Sequence, residues 1–125
     1  MVNTLVVTNN PTVPCAGHDI YGRDLGVQEI LQQVRDLVHL GHHLLTHPFA
    51  GSVKPNETPY KSVVVTVERI GVDYRSVQII EGCLQTALRM LQEAPPKHYS
   101  DQVLADLALI DKSLLLSGLE ALGKS

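Results

Sequence analysis

The sequence predicts an α/β fold, in which a small mixed sheet is covered by three helices in two or three layers. Valine-rich runs of strand length alternate with longer segments whose apolar residues recur at helical spacing. The chain has 125 residues, of which 44% are apolar and 18% charged, and this indicates one globular domain over residues 1–125. The predicted strands lie at about 4–8, 43–47 and 62–68, and the predicted helices at about 24–40, 74–92 and 100–117.

The first strand and the first helix are predicted from local patterns near the start of the chain. The run TLVVT at 4–8 is typical of a strand that is buried on both faces. Residues 11–24 are rich in proline, glycine and polar side chains, which indicates a loop that includes at most a brief strand at 19–21. The helix is predicted to begin near Asp24, its N-cap, and to end at Gly41.

Two further strands are predicted around a polar loop. The short apolar run at 43–47 follows a helix that ends at a glycine, so we expect a strand there, parallel to the first in a right-handed βαβ unit. Residues 48–61 form the loop. The run SVVVTVE at 62–68 carries four valines in its first six positions and is the strongest strand pattern of the chain.

The second and third helices have recognisable ends. Asp73 or Ser76 is predicted to cap the second helix, and Pro95-Pro96 ends it. Ser100 is predicted to cap the third helix, which has apolar residues around most of its circumference. Such a wide apolar surface needs more than one neighbour, so we expect the helix to pack on the sheet and on a second subunit in a homodimer.

Composition and charge exclude several function classes. The formal net charge is −3 and the basic residues are scattered singly, which argues against nucleic acid and against a membrane surface as partners. The apolar runs are too short to span a bilayer. The two cysteines, in a chain whose beginning lacks the features of a signal peptide, favour reduced thiols and a cytoplasmic location. No cofactor is predicted.

Four of the six histidines lie between residues 39 and 47 and raise the question of a metal site. His39, His42 and His43 fall at the end of a helix or just after it, where cationic side chains are favourable. No carboxylate or thiol stands at close ligand spacing. We therefore predict no metal site, and we expect these three histidines to be surface or helix-capping residues.

His47 differs from the other three histidines because it is the last residue of its predicted strand. Ligands of open α/β sheets bind beyond the carboxyl ends of parallel strands. If the first two strands are parallel, His47 shares a crevice with Asn9 and Asn10, which follow the first strand. An imidazole there suits general acid–base catalysis or binding of an anionic group. The alternative is a histidine that only anchors the loop by hydrogen bonding.

The loop after His47 is the most distinctive stretch of the sequence. Gly51 permits close backbone approach, Ser52 supplies a hydroxyl, and Asn56 can bond to local backbone. Lys54 and Lys61 supply positive charge for a carboxylate or a phosphate. The spacing G-x-x-x-x-G-K-[ST] of nucleotide loops is absent. The predicted ligand-binding residues are Asn9, Asn10, His47, Gly51, Ser52, Lys54, Asn56 and Lys61.

The same loop carries a resemblance to a known family. The run THPFAGSVKPNETPYKS at 46–62, preceded by VRDLVHLGHHLL and by a first strand that ends in TNNP, resembles the GrdX family. The likeness extends to LIDKSLL near residue 115. Members are small proteins encoded with the glycine, sarcosine and betaine reductase systems of amino-acid-fermenting anaerobes. The resemblance implies a cytoplasmic accessory protein in that metabolic setting and carries no reaction with it.

Two functions therefore compete at the level of sequence. The first is a non-catalytic accessory protein that binds a small anionic metabolite, or a subunit of the reductase, through the loop at 47–62. The second is a small enzyme in which His47 is the general acid or base and Lys54 or Lys61 orients an anionic substrate. A purely structural dimer, built on the apolar last helix, is a third alternative.

Overall fold

The computed structural model describes residues 3–51, 53–95 and 97–123, and it confirms a small α/β fold with three helices and a three-stranded mixed sheet. No helix in these ranges combines the length and the apolar character needed to cross a membrane. In chain order the elements are β1 (Thr4–Thr8), β2 (Ile20–Tyr21), α1 (Val27–His39), β3 (Ser62–Thr66), α2 (Tyr74–Glu93) and α3 (Asp101–Gly123).

The sheet has β1 at its centre, in the order β2-β1-β3. The short strand β2 runs parallel to β1, with Val7 opposite Ile20. The β3 strand runs antiparallel to β1, and its first residue, Ser62, lies opposite Thr8. The last residue of β1 and the first of β3 therefore meet at one edge of the sheet.

Helices cover both faces of this sheet, which gives three layers. Side chains alternate between the faces of a strand. On one face, Val7 and Val65 pack with the buried stripes of α1 and α2. On the other face, Val6 and Val64 pack with Leu115 of α3. The valines predicted to be buried on both sides are buried as expected.

The prediction of a regular strand at 43–47 was wrong. Leu44 makes only an isolated antiparallel bridge to Val65, and the third strand of the sheet is instead the brief segment Ile20–Tyr21. The ladder is interrupted because the amides of Leu45 and Thr46 both donate to one carbonyl, that of Val64. The hydroxyl of Thr46 takes the amide of Val64.

The direction of this segment nevertheless agrees with the prediction. It lies antiparallel to β3, which is antiparallel to β1, so it runs parallel to β1. Because β3 lies between them, the two do not form the expected βαβ pair. His47 still arrives at the same edge of the sheet as the end of β1.

The helix ends follow local capping rules, with one correction. The first helix begins after Gly26 rather than at Asp24, and the amide of Gly26 donates to the Glu29 carboxylate at 3.1 Å. Its end is a Schellman motif in which Gly41 has a φ of 109°. Asp73 caps α2 as predicted. Ser100 accepts the Val103 amide at the start of α3, which runs on to Gly123, beyond the expected end.

Candidate functional site

A concave pocket of about 60 Å³ lies at the sheet edge where β1 ends and β3 begins, between the loop at 47–62 and one side of α3. We call it the strand-end pocket. Its lining includes His47, Lys61, Ser62, Ile110, Asp111 and Leu114. A cavity needs about 10–15 Å³ to admit one water molecule. A cavity of about 150 Å³ holds a molecule of the size of benzene, so the strand-end pocket admits several water molecules or a ligand smaller than benzene.

Lys61 is the buried cation of this pocket. Its side chain ends in an ammonium that donates to the carbonyl oxygen of Pro48 at 2.7 Å and lies 5.4 Å from the centre of the Phe49 ring. Lys61 is only 7% exposed. Burial lowers the pKa of the Lys61 ammonium, while the Asp111 carboxylate and the thiolate form of Cys83 act in the opposite direction.

The hydrogen-bonding capacity of Lys61 is only partly used. An ammonium has three donors, and one of them reaches Pro48. Within the described residues, Lys61 forms no ion pair with a carboxylate. The remaining donors can therefore serve a ligand in the strand-end pocket.

A chain of hydroxyl groups connects β1 and β3 to the acid of the pocket. Ser62 donates its hydroxyl hydrogen to Asp111 Oδ2 at 2.7 Å. Because that hydrogen is used, the Thr8 hydroxyl is the donor in the 2.7 Å bond between Thr8 Oγ1 and Ser62 Oγ. The order of donors orients the Ser62 hydroxyl and fixes one oxygen of the Asp111 carboxylate.

Asn10 was predicted to bind a ligand, and the structure places it behind Asp111. Its side-chain nitrogen donates to the Ala108 carbonyl at 2.9 Å and to Asp111 Oδ2 at 3.0 Å. Its side-chain oxygen accepts both the amide and the hydroxyl of Thr12. Asn10 is fully buried and its polar atoms all have partners in the chain, one of which is Asp111.

Asn9 holds the part of the loop that carries Lys61. Its side-chain oxygen accepts the Lys61 amide at 2.9 Å, and its nitrogen donates to the carbonyls of Leu25 and Pro59, each at 2.8 Å. These bonds attach the end of the loop to β1 and to the start of α1. Like Asn10, Asn9 positions the charged residues and does not line the strand-end pocket itself.

His47 lies exposed at the rim of the strand-end pocket. Its Nδ1 accepts the backbone amide of Phe49 at 3.0 Å, so a neutral ring carries its hydrogen on Nε2. The loop therefore holds the ring through Nδ1, and Nε2 lies on the opposite side of the ring. The expected neighbouring asparagine is not part of the lining.

The remaining loop residues fall into separate places. Gly51 has a φ of 87°, and a Cβ atom there would lie 2.7 Å from Leu114, so the loop backbone passes close to α3. Lys54 is exposed and outside the strand-end pocket. Asn56 donates to the carbonyls at the end of α2. Ser52 lies outside the described residues.

Asp111 is the functional candidate that the sequence interpretation missed, together with Ser62 and Thr8. It stands in an apolar stretch of α3, three residues after Ala108 and four before Leu115, and both of these neighbours are buried. A carboxylate on the core-facing side of a helix needs a partner. In the sequence, the position of Asp111 on this side of the helix was therefore the indication of a functional site.

The other histidines of the cluster do not converge. His39 pairs with Glu81 at 3.0 Å, and His43 donates to the Gly71 carbonyl at 2.8 Å. His42 corrects the prediction of a surface residue, because its ring is buried and donates to the Thr66 carbonyl at 2.7 Å. Among the described residues, no three His, Cys, Asp or Glu side chains are grouped to hold a metal ion.

Comparison with known proteins identifies a family. The family model described as GrdX-like protein matches residues 5–120. Neither the curated proteins nor the solved structures gave a significant match.

Proposed function

The chain belongs to the GrdX-like protein family, and on this basis we propose that it is a cytoplasmic accessory protein that binds a small anionic metabolite in the strand-end pocket. The family match suggests an association with glycine reductase systems. In that setting the protein holds a metabolite or presents it to a reductase subunit. The residues that carry binding are Lys61 first and His47 at the rim.

The observation that carries this proposal is the setting of the Lys61 ammonium. Removing an ammonium from water is costly unless other groups replace the lost hydration. Here one carbonyl oxygen and one aromatic face do so, and no carboxylate of the described chain touches it. A carboxylate or phosphate ligand would supply the missing counter-charge. Strongly desolvated charges of this kind are typical of functional sites.

The size of the pocket favours a small ligand. The strand-end pocket suits a ligand smaller than benzene, such as a short carboxylic acid or inorganic phosphate. Ile110 and Leu114 form an apolar wall opposite the loop. A nucleotide would extend far beyond this volume.

An NMR titration tests the proposal with acetate and inorganic phosphate as probes. We expect one or both to shift the amide signals of residues 47–62 and of α3 near Asp111. The variant Lys61→Met should weaken that affinity by at least ~10-fold, which corresponds to ~1.4 kcal/mol. The control variant Lys54→Met, at an exposed position outside the pocket, should stay within about twofold.

The opposite pattern would refute the proposal. If neither probe shifts signals around the pocket, or if Lys54→Met loses as much affinity as Lys61→Met, the strand-end pocket is not the anion site. Co-purification with a reductase subunit that survives Lys61→Met unchanged would instead indicate that the protein acts through another surface.

A catalytic role is the second candidate, favoured by one observation. His47 and Lys61 line the same pocket, so an acid–base group and a substrate-orienting cation lie together. Lys54, the other orienting candidate, is outside it. Turnover of a bound carboxylate that His47→Gln abolishes, with binding retained, would establish the enzyme.

A further inference from the structure

The strand-end pocket carries a negative group as well as a positive one. Asp111 lines it together with Lys61, and the Asp111 charge acts on Lys61 electrostatically, although the two side chains form no direct ion pair. The acid and the base of the pocket are thus close enough to interact and too far apart to neutralise each other by contact.

One oxygen of the Asp111 carboxylate, Oδ2, accepts the hydrogen bonds that hold this side chain in place. Ser62 and Asn10 both donate to Oδ2, at 2.7 Å and 3.0 Å. The hydrogen bonds of Asp111 within the described part of the chain all reach Oδ2, and Oδ1 receives none. Oδ1 is therefore the oxygen on which a ligand donor can bind, while Oδ2 keeps the carboxylate oriented through β1 and β3.

We propose that the ligand of the strand-end pocket is a small zwitterion, a short amino acid whose carboxylate binds the Lys61 ammonium and whose ammonium binds Asp111 Oδ1. This inference rests on the proposed function and names its ligand class. A simple anion would gain Lys61 but would also meet the like charge of Asp111. A zwitterion satisfies both groups at once and brings no net charge into a partly buried site.

Size and lining support the same class. The smallest α-amino acid has about five non-hydrogen atoms, fewer than benzene, which agrees with the small volume of the pocket. Ile110 and Leu114 form an apolar wall on the side of α3. We therefore expect a preference for amino acids with no side chain or with a single methyl group.

Ligands that carry only one charge test Lys61 and Asp111 separately on the unmodified protein. Glycine, acetate and methylammonium are titrated by NMR under the same conditions, because acetate carries only the anion and methylammonium only the cation. The proposal expects glycine to bind at least ~10-fold more tightly than either half, since it engages both Lys61 and Asp111. If acetate binds as well as glycine, the zwitterion inference falls and the proposed anion site stands. If none of the three shifts signals at the pocket, both fall.

Substitution of the acid gives an independent test. The variant Asp111→Asn keeps the size of the side chain and an acceptor for Ser62, and it removes the charge. It should weaken glycine binding at least ~10-fold and leave acetate binding equal or stronger, since the like charge is gone. The matched control is Asp106→Asn, an exposed position on the same helix, which should leave the affinities for both probes unchanged. An equal loss of glycine and acetate binding in Asp111→Asn would mean that Asp111 only positions the pocket, and the inference would be overturned.

Discussion

The side chain of Lys61 is placed by its neighbours rather than by its own preferences. Asn9 binds its backbone amide, Pro48 accepts from its ammonium, and Phe49 lies beside it. Lys54, seven residues earlier in the same loop, stays in solvent. Two lysines that look equivalent in the sequence therefore have very different hydration, and only Lys61 pays a desolvation cost.

The desolvation of Lys61 should be measurable as a dependence of stability on pH. Because burial lowers its folded pKa below the ordinary 10.5, the unfolded chain binds more protons between the two values. The contribution of Lys61 to the free energy of unfolding is then least favourable below the folded pKa and rises with pH up to about 10.5. The slope of a single group cannot exceed about 1.4 kcal/mol per pH unit.

Urea unfolding at alkaline pH measures this contribution as a difference between proteins. The unmodified chain should gain stability relative to Lys61→Met as pH rises through the window. The control Lys54→Met should follow the unmodified chain. Burial also raises the pKa of the Cys83 thiol, which acts with the opposite sign in this range, so the difference and not the absolute slope is the test. Parallel curves for all three proteins would contradict the assignment.

Single elements contribute to more than one part of the molecule. The helix α3 packs Ala108 and Leu115 against the sheet, and on the adjacent side it presents Asp111 to the strand-end pocket. The N-terminus of α2 has a similar double role. Ser76 donates its hydroxyl hydrogen to the N-cap Asp73 at 2.6 Å and accepts the amide of Leu44 at 3.0 Å. It thereby attaches the segment before His47 to α2.

Removal of the Ser76 hydroxyl should loosen that attachment. In Ser76→Ala, Asp73 still accepts the backbone amide of residue 76, so the helix cap survives while the Leu44 amide loses its partner. A partly buried donor without a partner costs about 1–3 kcal/mol, and we expect that decrease in the free energy of unfolding by urea. Ser113→Ala, an exposed position on α3, should change it by less than ~0.5 kcal/mol. Equal effects of the two substitutions would refute this role for Ser76.

At the scale of the whole molecule, the two faces of the sheet are covered unequally. Two helices with buried stripes cover one face, whereas α3 alone covers the other and has only Ala108 and Leu115 buried. Several large apolar side chains of α3 remain in solvent, among them Leu109 at 62% and Leu116 at 47% exposed. These two residues are seven positions apart, so they lie on the same side of the helix, and neither lines the strand-end pocket.

The predicted homodimer should therefore form through this outer side of α3. Light scattering after gel filtration should give twice the monomer mass for the unmodified chain. The double variant Leu109→Asp and Leu116→Asp should elute as a monomer, because buried unpaired carboxylates oppose association. Val72→Asp changes an equally exposed apolar residue, at 63%, outside α3 and should leave the dimer intact. A monomeric unmodified chain at micromolar concentration would contradict the dimer.

Much of the secondary structure follows from short stretches of the chain. The helical stripes, the two valine-rich strands, the glycine stop at Gly41 and the caps at Asp73 and Ser100 were all predicted from the sequence, and the structure has them. Each depends on residues within one or two turns, where periodicity and capping act. The loop at 47–62 was correctly expected beside the end of β1 for a similar reason, because it directly follows the segment parallel to that strand.

The chemistry of the strand-end pocket depends on contacts between distant parts of the chain. Asp111 is held by Asn10, 101 positions earlier, and the Lys61 amide by Asn9, 52 positions earlier. Likewise, the third strand is 20–21, next to β1, where Asp19 accepts the Val6 amide, and the segment 43–47 lies beside β3, where the Thr46 hydroxyl accepts the Val64 amide. Local patterns contain no information on such pairings, since burial and hydrogen-bond partners are settled only when the layers pack. Packing gave both predicted asparagines hydrogen-bond partners within the chain, and it brought an unpredicted acid into the pocket that Lys61 lines.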